Sequence, residues 1–271
     1  MTDRVITGGW APSPAVQEAL RTVPRRRFAP EQDLKSAYDD DLAVVTRRNE
    51  AGRATSSVFA AWLQADMIEG LGLKPGALVW EAGCGGCNAE LLAQVVGPSG
   101  RVVTSDIDEY VVRRARRFLV EAGSGRDAAL GVPARFVPRD GFDAIVITYN
   151  CCDVAPPWRE LLAEGGRLVL PWEIGGYPRA ITFQRGRHRG HHGTWRALRL
   201  APAVRGHDTT RLLPPGSCHR RRGLLRRGDR DRVGRSRAPG RRFNRLLHAR
   251  PGRGRPRGQG PLPRGGPVAG A

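Results

Sequence analysis

The stretch that decides the fold is Ala77–Asp106, ALVWEAGCGGCNAELLAQVVGPSGRVVTSD. Ala77–Trp80 is a short apolar run, and Glu81–Gly86 is a turn that only glycines would make so tight. Asn88 to Val96 then carries Leu91, Leu92, Val95 and Val96 at helical spacing. Arg101–Ser105 is rich in β-formers and ends on Asp106. Strand, glycine turn, helix, turn, strand and terminal acid form half of a nucleotide-binding α/β fold. The glycines let backbone approach a ligand at a helix N-terminus, and the second-strand acid accepts hydrogen bonds from ribose hydroxyls. Gly83, Gly85 and Gly86 follow G-x-G-G, not G-x-G-x-x-G. Glu81, just ahead of the turn, would repel a pyrophosphate, which suits a nucleoside ligand without phosphates such as S-adenosylmethionine (SAM). The competing reading of the turn alone is a plain βα connection without function.

Outward from this unit, helices and apolar strands alternate. Pro14–Arg21 has Val16, Ala19 and Leu20 on one helical face, and Phe28 in VPRRRFAP reads as buried. Ala37–Val45 reads as a strand or hairpin arm, Arg47–Arg53 as a surface loop, and Thr55–Ser57 as the cap of a helix over Val58–Leu71. Glu109–Glu121 places Val112, Ala115, Phe118 and Leu119 inward, with Arg113, Arg114, Arg116 and Arg117 outward. Ala144–Thr148 is a buried strand, Trp158–Leu162 a short helix, and Gly165–Pro171 a turn and strand. This order predicts a doubly wound, mostly parallel, Rossmann-like α/β sheet.

Charge divides the chain. Of its 45 basic residues, 24 lie in 185–271, all Arg, against three acids, a net of +21; residues 1–184 then carry −2. All six His are in the same tail, which has no Glu, Ile, Lys, Met or Tyr. Its Arg, Gly and Pro content cannot bury much of a core. Three readings are open for it: a basic arm that binds nucleic acid, an inert disordered tail, or the product of a shifted reading frame in GC-rich codons. No stretch has the length of a membrane span or the form of a signal peptide. Five Cys do not suggest a disulfide framework. A cytoplasmic monomer is expected. Cys84–Cys87 with Cys151–Cys152, and Asp39–Asp41, read as packing and solvated residues, so no metal is expected. Asp153 either faces substrate or caps the following helix.

Five segments in order, Val16–Pro30, Ala54–Ser57, Trp80–Gly86, Gly100–Asp108 and Gly141–Pro171, resemble protein-L-isoaspartate O-methyltransferases. ATSSVFAAWLQADM and CGGCNAELLAQVVGPSGRVVTSDID are similar to actinobacterial relatives associated with tailoring of ribosomal peptides. The resemblance covers about Val16 to Gln184. It implies SAM as cofactor and an aspartate or isoaspartate carboxylate in a protein or peptide as acceptor, in repair or in tailoring. It implies that Glu81, Gly83 and Gly85 line the amino-acid part of SAM, that Asp106 holds the ribose and that Asp127 lies near the adenine. Ser57, with Thr55 beside it, would hydrogen-bond the substrate carboxylate.

On this reading residues 1–184 are the methyltransferase domain, with a substrate part (1–73) and a SAM part (74–184), and 185–271 are a basic tail. Two departures accompany the resemblance. No apolar run precedes Asp127, so a central strand is expected to be missing or replaced. The strand pattern stops at Gln184–Arg185, so a sheet edge is expected to lie unpaired. The alternative is an inactive remnant of the fold whose Arg-rich tail binds nucleic acid.

Overall fold

A computed structural model describes residues 1–83, 85–123, 127–130, 137–151, 153–174, 177–186 and 195–202. The chain divides into two units, Met1–Arg227 and Gly228–Ala271, the second wholly outside the described residues. Most of the basic tail, Cys84 and Cys152 also lie outside them.

Four short helical pieces open the chain: α1 (Thr2–Thr7), α2 (Pro14–Thr22), a 3-10 turn (Arg25–Phe28) and α3 (Leu34–Ala37). A two-stranded antiparallel hairpin follows, β1 (Val44–Arg48) and β2 (Ala54–Val58). The remaining order is α4 (Ala61–Leu71), β3 (Leu78–Ala82), α5 (Cys87–Val96), β4 (Arg101–Asp106), α6 (Glu109–Glu121), β5 (Asp127–Leu130), β6 (Phe142–Ile147), α7 (Pro156–Leu161), β7 (Leu162–Ile174), β8 (Tyr177–Arg185) and β9 (Trp195–Pro202). β3 to β9 form one sheet in the order β5-β4-β3-β6-β7-β8-β9. The pairs from β5 to β7 are parallel, and β8 and β9 add antiparallel.

The sheet is buried on both faces, as parallel strands require. Along β6, Ala144 and Val146 join one core with Val79 and the inward side chains of α2, α4, α5 and α6. Ile145 and Ile147 join the other, with Trp80, Phe142, Leu168 and Trp158 of α7. β4 leaves β3 in one direction and β6 flanks it on the other side, so the chain reverses beside β3. That switch point is where doubly wound sheets bind ligands.

Several expectations change. Thr55–Ser57 is not a helix cap: these residues lie in β2, and α4 starts at Ala61 after Ala60, with no side-chain cap. The hairpin arm expected from Ala37 begins at Val44, because Asp33 caps α3 by accepting from Ser36 N at 2.8 Å. The strand expected to be missing after α6 is replaced. Asp127–Leu130 pairs with Val103–Asp106, and it forms an edge of the sheet, not a central strand. β8 is not an unpaired edge: β9 pairs with it from Arg185↔Trp195 to Arg179↔Pro202. Gln184 Nε2 donates to Gly165 O at 3.1 Å and Arg185 Nη1 to Arg159 O at 3.1 Å. The sheet thus runs past the boundary read at 184. The Arg-rich composition of the stretch past 184 hid β9, which exists by pairing with β8.

Candidate active site

β3 ends at Ala82, and the chain turns through the glycine segment into α5. Gly83 has φ 107°, and a Cβ there would lie 2.1 Å from Thr148 Oγ1. Thr148, just past β6, donates from N to Ala82 O at 2.8 Å and from Oγ1 to Gly83 O at 2.9 Å. Gly83 N donates to Ser105 O at 2.8 Å. The loop is therefore tied to both neighbouring strands. Gly86, at φ 82°, lies under Phe28, whose ring a Cβ would meet at 3.0 Å. Phe28 stacks edge-on against Phe118 of α6, centroids 6.1 Å apart, and its carbonyl accepts from Arg114 Nη2 at 3.0 Å. This explains the VPRRRF segment: its Phe holds the glycine loop against α6.

Glu81 lies beneath the loop and is fully buried. Its Oε1 accepts from Asn88 Nδ2 at 2.9 Å and its Oε2 from Thr104 Oγ1 at 2.5 Å. Strand end, helix start and neighbouring strand are thereby pinned together. Burial pushes the Glu81 carboxyl up to about 7; the Thr104 and Asn88 hydrogen bonds oppose this, and the Asp106 charge adds to it. Asn88 and Thr104 were not picked out by sequence reasoning. A threonine inside the apolar run of β4 was the available signal, since a buried hydroxyl needs a partner.

Asp106 closes β4 beside Leu130, and its Oδ1 accepts from Asp108 N at 2.9 Å. Asp108 caps α6, accepting from Tyr110 N at 3.0 Å. Asp127 opens β5 level with Val103, three residues before the strand end that stands beside Asp106. Its backbone is therefore set back from the carboxyl edge where such sheets hold ligands.

The hairpin reaches this edge from the N-terminal part. Ser57 is half-buried and pairs with Val45, while Thr55 is exposed. The carbonyl of Ser57 lies 3.7 Å from where a Cβ on Gly85 would stand. Phe59 O, just beyond β2, accepts from Nη2 of Arg25, a buried guanidinium that also donates from Nε to Ala37 O at 2.8 Å. Burial holds the Arg25 guanidinium below its ordinary pKa. On the far arm, Arg47 pairs with Asp108 and stacks over Tyr110, 4.7 Å from the ring centroid.

On the third side, Asn150 Oδ1 in the loop after β6 is shut off from water with no hydrogen-bond partner. Tyr149 is half exposed, and burial together with the Cys151 and Asp106 charges pushes its hydroxyl up to about 12. Asp153 accepts from Val154 N at 2.7 Å, and the N-cap of α7 is Ala155. Asp39 accepts from Asp41 N at 2.8 Å, and Asp40 pairs with Arg4. No cluster of metal-ligating side chains occurs among the described residues.

The profile of the family described as protein-L-isoaspartate(D-aspartate) O-methyltransferase matches residues 1–190. The chain is 31% identical over 179 residues to a protein-L-isoaspartate O-methyltransferase of Methanopyrus kandleri, covering 63% of this chain and 74% of that one. It is 36% identical over 164 residues to one from Opitutus terrae, covering 58% and 64%. The chain belongs to the protein-L-isoaspartate O-methyltransferase family. A solved structure of that description superposes with a TM-score of 0.60 at 24% identity, over 76% of this chain and 66% of that one. A second, from Plasmodium falciparum in complex with S-adenosyl-L-homocysteine, gives 0.57 at 16% identity, over 75% and 94%. These likenesses show the fold. The family uses SAM, and the loop of this chain fits it. Gly83, held by Ser105 and Thr148, sets the turn, Gly85 leaves room beside it at the switch point, and an acid stands at the end of the next strand.

Proposed function

We propose that the chain transfers the methyl group of SAM to a side-chain carboxylate of an aspartate or isoaspartate in a peptide or protein. The carrying observation is the seating of the Ser57 backbone against Gly85, which puts a hydroxyl-bearing strand at the cofactor loop. When bound, SAM supplies a methyl on a sulfonium; a carboxylate oxygen takes it up, the sulfur keeps the bonding pair, and a methyl ester and a neutral thioether result. The buried Glu81 supports the loop from beneath, Gly83 sets its turn, and Gly85 leaves the room for the amino-acid part. Asp106 accepts from the ribose. Asp127 has no part in this proposal, because its backbone is set back from the site.

The acceptor is already an anion at neutral pH, so the protein supplies no general base. Its task is alignment. The Ser57 hydroxyl donates to the carboxylate oxygen that does not react, and Thr55 stands at the mouth. A hydroxyl orients the anion without the strong ground-state stabilisation a lysine would give.

The test is methylation of an isoaspartyl peptide and its aspartyl twin with labelled SAM. A base-labile methyl ester on either supports the reading, and preference for one separates repair from tailoring. SAM binding without ester on either peptide overturns it.

A further inference from the structure

The two arms of the β1–β2 hairpin are anchored differently. The end of β2 is held by the buried Arg25 through Phe59 O and by the apolar Val58. β1 is held from outside. Arg47 lies two residues beyond Val45, the strand partner of Ser57, and its guanidinium reaches Asp108 and the face of Tyr110. Asp108 is no remote surface acid. Its amide hydrogen-bonds Asp106, and its other carboxylate oxygen caps α6. A register irregularity at Val45/Arg47 turns β1 where this contact is made. Such bulges re-aim side chains beside sites.

We propose that Arg47 is a positioning residue for the methyl transfer. Through β1 it ties the hairpin that carries Ser57 to the loop that follows Asp106, so the acceptor and cofactor sites keep one spacing. This inference rests on the reading of the site given above. Arg47 touches neither reactant and acts through Ser57. Arginine is suited to the position because its planar guanidinium can donate to the carboxylate from one nitrogen and stack on an aromatic ring at once. Both partners are about one third exposed, 37% and 35%, so salt screens the tie.

The experiment compares Arg47→Ala, Arg47→Lys and Asp108→Asn; asparagine still caps α6 but carries no charge. Steady-state methylation of an isoaspartyl peptide is measured beside calorimetric SAM affinity and amide exchange of 44–58. The expected result is a kcat about tenfold lower for Arg47→Ala, with SAM affinity changed less than about twofold and exchange of the hairpin faster while that of 78–82 is unchanged. Arg47→Lys recovers part of kcat. The double variant Arg47→Ala/Asp108→Asn is no slower than the worse single. An active wild type with Arg47→Ala unchanged in kcat and exchange overturns the proposal and leaves the reading of the site intact. A wild type that binds SAM but methylates nothing overturns that reading, and Arg47's part in the reaction with it.

Discussion

The glycine loop and the β1–β2 hairpin meet at Gly85 and Ser57 but are built in opposite ways. The loop rests on buried contacts: Gly83 against Thr148, Glu81 with Asn88 and Thr104, Phe28 over Gly86. Most of these contacts lie in the core, with Thr148 half-buried just past β6 and Phe28 supplied by the 3-10 turn. The hairpin is buried only at Val44 and Val58; its arms carry the side-chain bond Thr46–Ser56 at 3.0 Å and the Arg47–Asp108 pair, and its tip is exposed. The difference teaches that the cofactor half is set by folding itself. The half proposed to hold the acceptor is set by contacts open to solvent, each worth little alone.

The sharpest way to break the cofactor half is Gly83→Ala. Positive φ and a Cβ 2.1 Å from Thr148 Oγ1 leave no unstrained solution. A loss of about 3 kcal/mol in urea unfolding is expected, with a melting point lower by about 6–12 °C and SAM binding abolished. Wild-type stability in this variant would mean the loop is not wedged between its neighbours.

Glu81→Gln sharpens the same half. The carboxyl ionises near 4.5 when unfolded and at about 7 when folded. Between these values the folded chain holds a proton that the unfolded chain has released. Stability therefore falls as pH rises through that window and levels off above it. Glutamine keeps partners for Asn88 and Thr104 and removes the titration. The wild type is expected to lose about 3 kcal/mol between about pH 5 and about pH 8 from this group, a slope absent in the variant. Urea midpoints across pH check it, and equal slopes would refute it.

Ser57→Ala addresses the acceptor half. It is expected to lower kcat about tenfold or more with SAM affinity within about twofold. A loss of SAM affinity instead would mean that the hairpin serves the cofactor. Thr55→Ala is the smallest change, about twofold or less in kcat, because the residue is exposed. Matched initial-rate assays compare the two.

The sequence made the cofactor half legible and the acceptor half less so. Gly83 and Gly86 were legible as a tight turn and Asp106 as a strand-end acid, because backbone conformation and strand position constrain residue type there. Ser57 was placed near the site only by resemblance, and its local reading as a helix cap was wrong. A serine before an apolar helix fits a cap and a strand end equally well, and the choice falls to pairing with Val45, ten or more residues away. β5 and β9 were missed for the same reason. Asp127–Leu130 is short, and Trp195–Pro202 is rich in Arg, so neither has a local pattern, and both exist by pairing with a strand already in the sheet. Arg47 and Asn88 become visible only when separate segments are brought together, whereas Thr104 carried a local signal as a hydroxyl inside an apolar run.

The most direct test of the central claim is calorimetric titration of SAM into the full chain, with Asp106→Ala as its partner experiment. Saturable micromolar binding by the wild type is expected, weakened about ten- to a hundredfold in the variant, both proteins showing the same circular dichroism. No binding by a folded wild type, or equal binding by Asp106→Ala, would contradict it.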